Sequence, residues 1–229
     1  MMLRFLDKHR KPSYAQSGED RIISFLFDWI QIKSPTYLDV GAHHAKWLSN
    51  TYLFYENGSS GVCVEPDPYL YAAIKRKRKR DICLNIGIGG GAQENADFYV
   101  MTSRTLNTFS KEDALRCQNT NNFGTQKIEK IIQIPLRTIN DVMKEYFSEG
   151  VNLVSIDVEG LDFEIIQAFD FLQFQPDVFC IETLRFQENG ELKKNFDLIN
   201  FMLEKKYFIY GETYINTIFV SKKIRQLLK

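Results

Sequence analysis

The sequence predicts an α/β fold in which a mostly parallel, open sheet carries helices on both faces. Apolar runs of four to eight residues alternate with amphipathic stretches in the order βαβαβ and onward. Four of those runs stop on an acid, at Asp39, Glu65, Asp157 and Glu182. A chain of 229 residues buries one such core without splitting in two, so 1–229 reads as a single domain.

Residues 1–35 read as an N-terminal helical extension: Ser17 precedes Glu19, Asp20 and the periodic apolar set Ile22, Ile23, Phe25, Leu26, Trp29 and Ile30. That is the pattern of a helix capped by Ser17, and Pro35 ends it. TYLDV (36–40) is the first strand and runs into Gly41. A helix over 48–55 stops at Asn57 and Gly58, and GVCVE (61–65) is the second strand. After a turn between Pro66 and Pro68 come a Lys/Arg-rich helix, a third strand DICLNI (81–86), a glycine-rich stretch at 87–91 and FYVM (98–101). Residues 103–125 are polar and irregular apart from a short helix around 110–117, and read as an acceptor-side loop or lid, with a disordered surface loop of the same composition as the alternative. A strand (128–136), a helix over 138–147 and the fourth central strand VNLVSI (151–156) follow. A helix (163–169), a strand (178–181), a helix (191–205) and a hairpin-like pair, YFIYG and TYINTIFV, close the chain.

Composition names no macromolecular partner, because 29 basic and 29 acidic residues leave no net field to recruit nucleic acid or an anionic membrane. The first 16 residues lack the apolar core of a secretory signal, and no run approaches the roughly 18 uncharged apolar residues of a bilayer span. The chain reads as cytoplasmic. Of four cysteines, Cys63, Cys83 and Cys180 lie in strand-like runs and none has zinc or CxxC spacing, so they read as buried free thiols.

In an open parallel sheet, ligands sit beyond the carboxyl ends of the strands. Gly41 after the first strand lets a backbone approach a nucleoside, and Glu65, about 25 residues beyond Asp39, can accept from both ribose hydroxyls. NAD folds share this spacing, but a pyrophosphate needs G-x-G-x-x-G, and here the run is Gly41-Ala42-His43-His44-Ala45-Lys46. A ligand without phosphates, such as S-adenosylmethionine, needs no such cradle. Helix capping is the alternative role for Asp39 and Glu65. Asp157 and Glu159 emerge at the sheet's crevice, where carboxylates hold a divalent ion such as Mg²⁺ or deprotonate a hydroxyl; a helix N-terminal acid pair is the alternative. Asp157 and Glu182 end neighbouring strands and form the candidate metal pair. One of His43 and His44 can serve as a base, and hydrogen bonding at a helix start is the competing role. The run KRKRKR (75–80) reads as a solvated helix face, since no aromatic platform or second basic cluster accompanies it.

The segments YAQSGED (14–20), LDVGAHHAKWLSNTYLFYENG (38–58), GVCVEPDP (61–68) and SIDVEGLDFEII (155–166), with TLNTFSKEDA (105–114) and CIETL (180–184), resemble those of FkbM-type methyltransferases. The resemblance implies a Rossmann-like methyltransferase fold: a seven-stranded, mostly parallel sheet with its last strand antiparallel. It also implies S-adenosylmethionine as donor and transfer to oxygen, often on sugars or polyketides, so that the acceptor is a small molecule or glycan and no nucleic acid is expected. Carried over by position, the donor-binding set is Gln16, Glu19, Asp39, Gly41, Ala42, Ser49, Asn50, Glu65, Pro66, Asn85 and Asp157. The catalytic candidates are Asp157, Glu159 and His43. The departure is at Ala45 and Lys46, where many relatives of the broader class keep a second glycine. A non-catalytic donor-binding protein, a nicotinamide oxidoreductase and a nucleic-acid methyltransferase are the rival readings.

Overall fold

In the computed structural model, which describes residues 11–89, 91, 94–119, 124–158, 160–186 and 192–228, the apolar runs do pair as strands. The chain opens with α1 (Glu19–Trp29), β1 (Tyr37–Val40), α2 (Tyr52–Glu56), β2 (Gly61–Val64), α3 (Pro68–Lys77) and β3 (Ile82–Leu84). An excursion follows: β4 (Gly87–Ile88), β5 (Asn95–Met101), a 3-10 turn at Arg104–Leu106, α4 (Lys111–Asn119) and β6 (Ile128–Arg137). Then come α5 (Ile139–Tyr146), β7 (Leu153–Ile156), α6 (Asp162–Ala168), β8 (Val178–Glu182), β9 (Leu184–Phe186) and β10 (Leu192–Lys194). Helix α7 (Phe196–Glu204), β11 (Tyr207–Glu212) and β12 (Asn216–Ser221) lead to a last 3-10 turn at Ile224–Leu228.

Seven strands form the main sheet in the order β3-β2-β1-β7-β8-β12-β11. Only β12 runs against its neighbours, pairing antiparallel with both β8 and β11. Strand β1 is flanked in parallel by β2 and β7, and the connections leave in opposite directions from that pair. This is the topological switch point at which doubly wound sheets bind ligands.

Alternation along each strand sorts the core into two layers. Leu38, Val40, Val62, Val64, Val154, Ile156, Phe179 and Ile181 pack against α5, α6 and α7. Tyr37, Cys63, Leu153, Val178 and Cys180 face α1 and α2, through Ile23, Leu26, Phe27 and the aromatic run 52–55. Both faces are covered, which is why the strands read as continuous apolar runs. No helix among the described residues is long and apolar enough to cross a membrane. The four cysteines are free thiols.

Local boundaries differ from the sequence reading for identifiable reasons. Gly18, at φ +92°, caps α1 in place of Ser17, whose N–H instead donates to the Glu19 carboxylate at 2.8 Å. Helix α2 starts at Tyr52 because Leu48 sits at φ +55°, and Ser49 Oγ accepts from the Tyr52 N–H at 3.1 Å. The helix expected over 191–205 begins only at Phe196: Asn195 caps it by accepting from Leu198 N–H at 3.2 Å, while Leu192–Lys194 pair with β9. Residue 191 lies outside the described residues.

The largest correction falls in the basic run. Lys75, Arg76, Lys77, Lys79 and Arg80 are exposed, but Arg78 is 0 % exposed. It stands just past α3, where the chain turns under the sheet, and its guanidinium lies within 5.4–5.8 Å of the ring centres of Tyr37, Tyr52 and Tyr55. It donates to Thr51 Oγ1 at 2.7 Å and pairs with Asp81 at 2.9 Å and Asp39 at 3.5 Å. Removing one partner of such a buried pair leaves the other charge uncompensated. Arg78→Ala is therefore expected to destabilise the fold by about 3–5 kcal/mol in urea unfolding, whereas Lys79→Ala, on the exposed side of the same run, shifts it by less than about 0.5 kcal/mol.

Candidate functional site

A pocket of about 160 Å³ opens at the carboxyl ends of β1, β2 and β7. Val40 and Gly41 continue β1 into its wall; Val64, Glu65 and Pro66 continue β2; Asp157 and Val158 continue β7; and Ile86–Ile88 follow β3. The opposite wall comes from the excursion: Phe98, Arg104, Thr105, Asn107, Thr108 and Phe109. Gln16 and Leu48 are exposed at the mouth, and His43, Leu70 and Leu161 complete the lining.

The backbone turn at Gly41 sets the geometry. The N–H groups of Gly41 and Ala42 both donate to Val64 O, at 3.1 and 3.0 Å, and Asp157 N–H donates to Val40 O at 3.0 Å. Gly41 has φ +81°, and a Cβ there would stand 1.8 Å from the Asp157 carbonyl oxygen. The sequence reading gave Gly41 to close approach by a ligand. The structure adds a tighter reason, because the end of β7 fills the space a side chain would need.

Glu65 is buried and accepts the N–H of His43 on one oxygen and the N–H of Asp67 on the other, both at 2.8 Å. Burial pushes its carboxyl up to about 7 against the pull of those two donors. Each oxygen keeps a lone pair for a further hydrogen bond. Asn85 reinforces the same turn from behind, donating to the Glu65 and Pro66 carbonyls at 2.9 Å each.

Asp157 is the contrasting acid. Its carboxylate takes no hydrogen bond and no ion pair from the described residues, and burial, then the charges of Asp39 and Glu19, push it up to about 6. One turn on, Asp162 receives the N–H groups of Val158 and Gly160 at 3.2 Å each and ties down the loop between β7 and α6. Burial and the nearby Asp157 raise Asp162 to about 7. Sequence reading did not single out Asp162; its place at the first position of α6, five residues beyond Asp157, was the available signal. Glu159 lies outside the described residues.

The two histidines divide their roles. His44 Nδ1 accepts from the N–H groups of Lys46 and Trp47, at 3.1 and 2.9 Å, a local turn bond. His43 lines the pocket with φ +49°, and its Nδ1 is buried with no partner among the described residues. Burial, then His44, lowers its pKa, so its imidazole stays neutral.

Other residues of the expected donor set stand behind the wall. Asp39 accepts from Thr51 and pairs with Arg78, and burial raises its pKa against the pull of that guanidinium. Asn50 donates to Ser155 Oγ at 3.1 Å, Ser49 caps α2, and Ala42 is buried. Glu19 ties the N-terminal segment to the β11–β12 turn, accepting from Thr213 at 2.6 Å and Asn216 at 2.9 Å. Of the set, Gln16, Gly41, Glu65, Pro66 and Asp157 line the pocket. Glu182 does not line it, and no group of three or more His, Cys, Asp or Glu among the described residues is placed to hold a metal, so the Asp157–Glu182 pair gains no third ligand of that kind.

The polar segment expected as a loop or lid is ordered at its start. Arg104 pairs with Asp67 and lies 4.9 Å over the Tyr69 ring, and Asn107 donates to Asp67 at 3.0 Å. Thr108 bridges to Tyr99, and α4 packs against β5 and β6. Asn121, Asn122 and Phe123 lie outside the described residues.

A doubly wound sheet with one reversed strand, and a pocket at its switch point that has a buried acid at the end of β2 but no glycine-rich phosphate cradle, is the Rossmann-like arrangement of methyltransferases. Residues 39–209 match the family model described as the methyltransferase FkbM domain, and the chain belongs to the FkbM family of S-adenosylmethionine-dependent methyltransferases. No curated protein matches the chain. Among solved structures it is similar to a TehB-like SAM-dependent methyltransferase from Corynebacterium glutamicum (12 % identity, 96 % of this chain, 94 % of that one, TM-score 0.46). It is also similar to an O-methyltransferase from Bacillus cereus in complex with SAH (8 % identity, 96 % of this chain, 88 % of that one, TM-score 0.44).

Two outcomes follow from the geometry. Gly41→Ala adds a Cβ with no room at a left-handed backbone and is expected to lower the thermal midpoint by several degrees and abolish ligand binding. Asp157→Asn removes a repelled charge: because its folded pKa is raised, wild-type stability falls as pH rises from about 4, the unfolded value, to about 6, and the loss is complete above that. The variant should be more stable than wild type by roughly 1 kcal/mol at pH 8 and indistinguishable from it at about pH 3, in paired denaturation curves.

Proposed function

We propose that the chain transfers the methyl group of S-adenosylmethionine to a hydroxyl oxygen of a small-molecule or glycan acceptor. The observation that carries this is a set of unspent valences in one pocket: the spare lone pairs of Glu65, the unpartnered Nδ1 of His43 and the unpartnered carboxylate of Asp157. Glu65 suits two adjacent ribose hydroxyls, and Leu70, Ile86 and Ile88 give an apolar seat for a base. The lack of further glycines after Gly41 fits a donor without phosphates.

The donor supplies an activated methyl on a sulfonium. The protein's task is to align an acceptor oxygen behind that carbon and keep water away. As the oxygen lone pair forms the new C–O bond, the C–S electron pair returns to sulfur and the hydroxyl proton must leave. A sugar hydroxyl is too weak an acid to shed it unaided, so a proton acceptor beside the oxygen is needed. Asp157 and the neutral His43 imidazole are the two pocket groups able to take it. Thr105, Thr108, Phe98 and Phe109 supply the acceptor-side wall, with mixed hydroxyl and aromatic character suited to a sugar ring or a polyketide-like alcohol. Residues 103–125 then act as the acceptor-side element. The exposed cations of 75–80 need no nucleic-acid partner, since they end α3 where cations oppose the helix dipole.

Calorimetry with S-adenosylmethionine, its demethylated product and NAD tests the donor. Binding of the first two but not NAD is expected, and Glu65→Ala should weaken it by at least about tenfold, the loss of one or two charge-assisted hydrogen bonds. Full affinity in Glu65→Ala would refute the assignment. Because only the ionised carboxylate accepts from both hydroxyls, wild-type affinity should fall as pH drops through about 7. Methyl transfer to a panel of glycans and alcohols, with and without chelator, then identifies the acceptor and any metal requirement.

A further inference from the structure

The charge balance of the pocket wall is one-sided. Glu65 and Asp157 line it directly, while Asp39 at the end of β1, Glu19 at the start of α1 and Asp162 at the start of α6 stand close enough to perturb Asp157 or be perturbed by it. Against them the lining contains, among the described residues, one guanidinium, Arg104, and that group is committed to the buried carboxylate of Asp67 and stacked on Tyr69. Asp39 has Arg78 beneath the sheet, Glu19 has Thr213 and Asn216, and Asp162 has two backbone N–H groups. Asp157 has none of these among the described residues, and the neighbouring His43 is neutral. An acid left this way in a pocket wall favours a ligand that brings positive charge.

Methyl transfer removes such a charge. The donor carries a sulfonium cation, and when the C–S pair returns to sulfur the product is a neutral thioether of nearly the same shape. We propose, resting on the donor reading above, that Asp157 makes the pocket charge-selective: it favours the cationic sulfonium donor over the neutral thioether product, so that transfer itself loosens the product. Asp157 is in this sense a specificity-determining residue, separable from its part in accepting a proton, because the selectivity is a property of binding with no acceptor present.

The test is binding of S-adenosylmethionine, S-adenosylhomocysteine and sinefungin, whose amine restores a positive charge near the sulfur position, to the full chain and to Asp157→Asn at pH 8. The expected result is that the donor-to-product affinity ratio falls by about tenfold in the variant, the size of one charge–charge contact in a half-screened site, with sinefungin following the donor. Should the variant fold poorly, wild type alone gives the answer. Titration of Asp157 should erode the same ratio between pH 8 and pH 5, and at pH 6 calorimetry in two buffers of different ionisation enthalpy should show more protons released on binding the donor than on binding the product, since Glu65 contributes alike to both. A ratio that stays within about twofold across variant and pH, with both compounds still binding, overturns the charge selection and leaves the donor reading intact. No binding of either compound overturns both.

Discussion

Burying the guanidinium of Arg78 beneath β1 and β2 demands counter-charge, and the partners it recruits tie together the loops around β1, β2 and β3. Asp39 is drawn down toward it, away from the pocket, and Thr51 bridges the two by donating to Asp39 while accepting from Arg78. Thr51 in turn starts α2, so the loop between β1 and α2 is anchored at both ends. Asp81 takes the other edge of the guanidinium along with the Tyr37 hydroxyl and the Gly61 N–H, which ties the entry of β2 to the loop before β3. The acid that sequence reasoning places at the donor is, in the fold, the counter-charge of a buried cation.

Beyond the carboxyl ends the logic reverses. Below the sheet each buried acid has a cation or several donors; above it, Glu65 is held only by two backbone N–H groups and Asp157 by nothing among the described residues. Leaving acids so poorly compensated costs stability, and such cost concentrates where a ligand later supplies the missing partner. The three acids pushed up to about 6 or 7, Asp157, Glu65 and Asp162, all stand at this end of the sheet. Their shared cause is burial.

How much of this was legible in the sequence follows from which signals are local. Strands buried on both faces announce themselves as apolar runs, and their terminal acids can be read by position, so the sheet and the Glu65–Gly41–Asp157 arc were visible. Arg78 was not: six consecutive cations look alike, and what distinguishes the third from the end is, besides the nearby Asp81, three tyrosines and Asp39 brought from distant parts of the chain. The reason for Gly41 was half visible, since a positive φ can be guessed from a lone glycine but the Asp157 carbonyl pressing on it cannot. The break at Asn195 was signalled, as an amide before an apolar-periodic run is a helix cap, yet Glu191, Leu192, Lys193 and Lys194 are all good helix formers and concealed it. Thr105, Thr108 and Phe109 have the composition of any surface loop, and it is the bridge from Thr108 to Tyr99 and the packing of Phe109 on Phe98, both in β5, that hold this stretch at the pocket.

That far wall is not free to move independently of the donor side, and Asp67 is the reason. Its N–H donates to Glu65, its carboxylate caps α3 through Tyr69 N–H at 2.8 Å, and the same carboxylate receives Arg104 and Asn107 from the excursion. Asn107 also accepts the Met101 N–H at 2.8 Å, so the strand behind the wall is locked to the same point. One buried aspartate therefore connects the carboxylate proposed to bind ribose to the residues proposed to face the acceptor. A fold that builds its pocket from two separate sheets needs such a joint, because strand pairing fixes each sheet internally but says nothing about the distance between them; in this chain that distance is set by hydrogen bonds converging on Asp67.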